Sequence, residues 1–224
     1  MTETEWLTAT EPKPMIDFLG LSLKRAFIEV CSVIGVYRQK QCKIERKFRL
    51  FACACMRHVW DRLDEPARMA TEVAERQADD EAMFSEAIAA ARRRRYRKPL
   101  VNEPSFTGAC DSAHHCSRLA ARLFVAENLN DTRRLVVAQH LATLMRDIFG
   151  NPFRPVTLNP SWLTSTVLAL ATGIYDEKAF DRMPILADAL QDADCDNEDI
   201  LNHCRQPGEH VRGCWVVDLV LDRG

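Results

Sequence analysis

Residues 195–221 read CDNEDILNHCRQPGEHVRGCWVVDLVL, and how the last part of that stretch folds decides the class of the whole chain. The valines of 210–221 favour a strand. Almost nothing else in the 224 residues reads as one, however, and a lone strand has no ladder to join. A helix is therefore expected over 210–221, and with it an all-α fold: a single-domain, irregular multi-helix bundle over 1–224, with a Cys/His-rich C-terminal module at 185–221.

Working outward, Pro207 and Gly208 mark a turn, and Asp196 with Asp199 three residues on resembles a capping box for a short helix to Arg205. Pro184 opens a helix carrying Ile185, Leu186, Ala189, Leu190 and Ala193. Asn159 before Pro160 reads as a helix start, with Leu163, Val167, Leu170, Ala171 and Ile174 as the apolar face. A helix over 132–149 follows Asp131 as N-cap and stops at Gly150, Asn151 and Pro152. Further helices are expected at 109–127, from Pro66 to Arg97 with a break near Asp79 and Asp80, and at 46–63, where Phe51, Cys55 and Val59 form one buried stripe. A short one is expected at 14–19. The segment 21–37 has no firm assignment.

Composition bounds the function classes. Hydrophobic residues make up 47% of the chain, enough for a sizeable core. Thirty basic against 32 acidic residues give a formal charge of -2, so no global field draws the chain to nucleic acid or to an anionic membrane. The opening MTETEWLTATEPKPM lacks a basic region leading into an apolar one, and no apolar run is long enough for a membrane span. A cytoplasmic protein is expected. Its nine cysteines, an odd number, then read as reduced thiols rather than a disulfide framework.

Thiols and imidazoles crowd the tail: Cys195, His203, Cys204, His210 and Cys214. With 210–221 helical, His210 and Cys214 stand at i and i+4 on one face. The preceding short helix presents Cys204, or its neighbour His203, and Cys195 closes a tetrahedron. The expected metal ligands are thus Cys195, Cys204, His210 and Cys214, with zinc as the ion. Against this stand the absence of any CxxC pair and the readiness of small cysteines to pack as core. A thiol nucleophile, Cys214 or Cys204 beside His210 or His203, is a third reading.

Elsewhere, Cys53 and Cys55 fall on nearly opposite helix faces, whereas Cys55 with His58, and Cys110 with His114, could each share an ion. The run Arg92, Arg93, Arg94, Arg95, Tyr96, Arg97 and Lys98 reads first as a solvated helix end, its cations meeting the negative end of the dipole, and only then as a nucleic-acid contact. Phosphate-cradling glycine loops, the GxSxG elbow, HExxH and calcium loops are missing. The leading expectation is a non-catalytic helical protein that contacts a protein partner, with a zinc-binding protein as the alternative.

Several strings carry a resemblance: MTETEWLTATEPKPMIDFL at the start, FRLFACAC, FGNPFRPV, YDEKAFDRMPILADALQDADCDNEDILNHCR and HVRGCWVVDLVL. Together they resemble a family of bacterial proteins abundant in planctomycetes that carries no established activity. The resemblance implies that Cys195, His203, Cys204, His210, Arg212, Cys214 and Trp215 belong to a family signature. It also implies that the Ala- and Arg-rich middle varies, and that 19–48, with Cys31 and Cys42, is longer here than in the relatives.

Overall fold

The computed structural model describes residues 1–20, 42–58, 60–62, 68, 71–72, 75–76, 78–79 and 131–223. Eight helices stand out among them: α1 (Glu3–Thr8), α2 (Pro12–Phe18), α3 (Cys42–His58), α4 (Asp131–Phe149), α5 (Ser165–Glu177), α6 (Met183–Asp192), α7 (Glu198–Arg205) and α8 (Trp215–Val220). Short 3-10 turns lie at Trp60–Arg62, Pro160–Trp162 and Phe180–Arg182. The described residues contain no strand, so the fold is all-α. No helix among them is long and apolar enough to cross a membrane. The segment 21–37, the helix at 109–127, the Cys110 and His114 pair and the basic run at 92–98 lie outside the described residues. So does most of 66–97, whose described positions are all helical.

By internal contacts the chain divides into two compact units, Ala9–Ala142 and Met1–Thr8 with Thr143–Gly224. In the first, α3 departs from the expected single stripe: Leu50, Phe51, Ala52, Cys53, Ala54, Cys55 and Met56 are all buried. Alanine and cysteine are small enough for neighbours to close in on every side, so the helix runs through an interior rather than along a surface. Its last turn is held by Arg57, which grips the buried Glu75 through two hydrogen bonds of 2.8 Å and lies 4.0 Å over the Trp60 ring.

The core of the second unit is built on two amphipathic helices. Along α5 the buried residues are Val167, Ala171, Ile174 and Tyr175, and along α6 Met183, Leu186, Ala187 and Leu190. The first set is spaced i, i+4, i+7, i+8 and the second i, i+3, i+4, i+7, each the pattern of a helix with one face in the core. Ile200 and Cys204 of α7 and Val216, Val217 and Val220 of α8 complete that core.

Several boundaries differ from expectation by local chemistry. Asn159 caps only the 3-10 turn Pro160–Trp162, and α5 is capped instead by Thr164, whose hydroxyl accepts the Val167 N–H. The N-cap of α7 is Asn197 rather than Asp196, its Oδ1 accepting the Ile200 N–H at 3.0 Å. Within 210–221, only Trp215–Val220 is helical: residues 210–214 form a turn in which the Cys214 N–H reaches the Val211 carbonyl, and Gly213 has φ +96°. His210 and Cys214 therefore do not share a helix face.

Candidate metal centre

Residues of α4, α7 and the 210–214 turn converge inside the second unit. On α4, Asp147 is buried among Leu144, Met145 and Ile148, in the last turn of the helix. The N–H of Gly150 bonds to the Arg146 carbonyl, and Gly150 ends the helix at φ +66°. An acid in the last turn faces the negative end of the helix dipole, so it needs compensation from elsewhere. The Val211 N–H supplies part of it, donating to Asp147 Oδ2 at 2.9 Å.

The other oxygen of Asp147 faces two imidazoles. His210 Nδ1 lies 2.6 Å and His203 Nε2 3.2 Å from Oδ1. His203 occupies the core-facing stripe of α7 between Ile200 and Cys204, which carries its ring inward. Its Nε2 is also 3.2 Å from Cys214 Sγ, and that sulfur is 3.9 Å from His210 Nδ1. The two rings meet edge to face with centroids 4.9 Å apart. The four donor atoms, one each from Asp147, His203, His210 and Cys214, all lie within 4.8 Å of one another, and all four residues are buried.

Outer partners orient the two imidazoles. Gln206 Nε2 is 3.1 Å from His203 Nδ1, which leaves Nε2 as the nitrogen aimed at the cluster. His210 engages through Nδ1 alone, because its Nε2 is buried with no hydrogen-bond partner. Trp215 leans on the His203 ring, centroids 5.1 Å apart.

Burial by itself pushes the Asp147 carboxyl up, but hydrogen bonding and electrostatic attraction from His203 and His210 outweigh it and hold the group below the ordinary carboxylate value, as an anion. Cys214 goes the other way. Burial first, and then the charge of Asp147, push its thiol well up, while the amides of Val217 and Val216 pull back without forming a side-chain cap. A cation among these atoms reverses that balance, since a coordinating thiol gives up its proton.

This geometry separates two of the readings. In a nucleophile–base pair, one imidazole nitrogen faces the thiol and the opposite nitrogen faces the orienting carboxylate. Here the same atom, His203 Nε2, faces both the sulfur and the carboxylate, and the thiol is fully buried with its ionisation suppressed. One N–H cannot be well aimed at two acceptors. One ion can meet four lone pairs, and the donor set and spacing are consistent with zinc coordination.

Of the four ligands expected from sequence, His210 and Cys214 are in this group. Cys195 and Cys204 are placed in the apolar core of the same unit instead, and burial pushes the Cys204 thiol up to about 12. His203 and Cys204 are adjacent, so their side chains point about 100° apart around the helix and only one can face the cluster. Asp147 was not expected. It lies 63 positions before His210, and the signal that could have marked it is an acid set among apolar residues at the wrong end of a helix dipole. Cys55 and His58 belong to no group of three or more metal-ligating side chains among the described residues.

No protein-family model, no curated protein and no solved structure matches the chain.

Proposed function

We propose that this chain is a zinc-binding protein in which Asp147, His203, His210 and Cys214 hold one ion in a closed structural site. The observation that carries the reading is the convergence of four buried donor atoms from three separate segments on one point, with a single imidazole nitrogen facing both sulfur and oxygen.

Bond lengths of about 2.0–2.1 Å to nitrogen and oxygen and about 2.3 Å to sulfur make the edges of a tetrahedron about 3.3–3.6 Å long. The contacts of 2.6, 3.2, 3.2 and 3.9 Å straddle that range, so small side-chain rotations bring all four atoms onto an ion. Two nitrogens, one sulfur and one oxygen suit zinc. Calcium and magnesium call for six or more oxygens. A catalytic zinc keeps a position open for water, whereas here four protein donors complete the tetrahedron and each is buried. That supports a structural, non-catalytic role. The expectation of a protein partner finds no specific feature among the described residues, and the metal reading takes its place.

Metal analysis of the protein purified with zinc in the medium tests this. About one equivalent is expected, and less than about a tenth of an equivalent overturns the reading. Cobalt in place of zinc should give the intense visible bands of a tetrahedral site with a thiolate-to-metal band in the near ultraviolet. Cys214→Ser should abolish that thiolate band, while Cys204→Ser should leave it and the stoichiometry unchanged.

A further inference from the structure

We propose that occupancy of the metal centre strengthens docking of the segment Glu3–Thr8 on the end of α4, so that α1 is held more tightly in the loaded protein than in the metal-free one. This rests on the zinc reading above.

The seat is made of residues next to the ligands. Trp6, fully buried, donates its indole N–H to the Gly150 carbonyl at 3.0 Å, three residues after Asp147. Arg146, the neighbour of Asp147, donates to the Trp6 carbonyl at 3.1 Å. The Asn151 amide donates to Glu3 Oε1 at 2.8 Å, and Arg154 pairs with the same carboxylate. Beyond Gly150, the ring of Trp215 lies so close that a Cβ at position 150 would sit 3.1 Å from it. Trp215 in turn follows Cys214 in the chain and touches the His203 ring. The end of α4 is thus pressed between α1 and the ligand-bearing tail.

Two physical arguments turn this adjacency into coupling. A helix of six residues does not hold its shape alone, so α1 owes its order to the seat. The seat in turn depends on how the end of α4 meets the 210–214 turn. The bonds from Asp147 to His203, His210 and Val211 join them, and an ion replaces the imidazole–carboxylate bonds with coordinate bonds from Asp147, His203, His210 and Cys214 to one centre, leaving the Val211 bond in place. A ligand that favours the docked arrangement must, by linkage, bind more tightly when α1 is docked, by the same factor.

The experiment uses the full chain with and without zinc. Hydrogen exchange reads the protection of amides in residues 3–8, and competition with a chromophoric chelator reads zinc affinity for the parent chain, Trp6→Phe and Asn151→Ala. Trp6→Phe keeps most of the buried ring but removes the donor to Gly150, and Asn151→Ala cuts the tie to Glu3 at the surface. Zinc should raise protection of residues 3–8 about 5-fold or more, and each variant should weaken zinc binding by a factor that tracks its loss of protection. If zinc binds at one equivalent while protection of residues 3–8 is unchanged, or if both variants bind it as the parent does, the docking proposal fails and the metal centre stands. If no zinc binds, both fall.

Discussion

At the scale of single residues, Gly150 and Gly173 make opposite predictions from the same substitution. Gly150 has φ +66°, and a Cβ there meets the Trp215 ring at 3.1 Å, so Gly150→Ala should lose about 1–2 kcal/mol to the left-handed backbone and more to displacement of the indole. Gly173 lies within α5 with nothing within 4 Å of an added Cβ, so Gly173→Ala should gain up to about 1 kcal/mol from helix propensity. Urea denaturation of the two variants checks both signs. Cys55 makes a pH prediction. Burial first, then Cys53, push its thiol far above the ordinary 9.0 in the folded chain. Its contribution is therefore intact below pH 9.0 and is lost as pH rises past it, because only the unfolded chain can ionise there, with a slope of up to about 1.4 kcal/mol per pH unit. Cys55→Ala should flatten the alkaline limb of stability against pH by that one proton; an unchanged slope counts against it. His210 and Cys214 were legible as members of one cluster because chemistry-bearing side chains four apart are visible in any string. Asp147 was not, because its relation to them exists only once α5, α6 and α7 have turned the chain back on itself.

At the scale of elements, the caps give a graded test. Thr164→Ala removes the acceptor for the Val167 N–H at the start of α5, and Asn197→Ala removes that for Ile200 at the start of α7. Each should cost about 1 kcal/mol in denaturation experiments. Only Asn197→Ala should also weaken zinc binding, since α7 carries His203 and α5 carries no ligand. Equal effects on the metal from both would argue against a local cause. Helices opened by Pro184 and closed by Gly150 were readable because those residues act through their own backbone angles. Caps were read less well: Asp196, Asn197 and Thr164 all have side chains able to cap, and the choice depends on which following helix face must reach the core. The tail shows the same limit. Its valines lie on a helix only six residues long, and Gly213, at φ +96°, sets the turn that brings Cys214 to His210 without a shared helix.

For the whole molecule, the all-α class followed from the near absence of other strand candidates, a global property that one ambiguous stretch could not upset. The all-round burial of Leu50–Met56 in α3 was less visible, since periodicity measures the contrast between faces and Ala–Cys alternation offers little. If zinc is structural, free ion at a hundredfold over its dissociation constant should add about 2.7 kcal/mol to the unfolding free energy. For a unit of this size that is a shift of roughly 10 °C or more in the transition that contains Thr143–Gly224. Calorimetry with and without a chelator measures it, and coincident melting curves would rule out a stabilising ion.

The separation of 63 positions between Asp147 and His210 also bears on kinetics. Three helices must form and pack before the carboxylate can meet the imidazoles, so capture of the ion belongs after the rate-limiting barrier rather than before it. Zinc should then leave the refolding rate nearly unchanged and lengthen the lifetime of the folded chain, acting as a latch closed last and opened first.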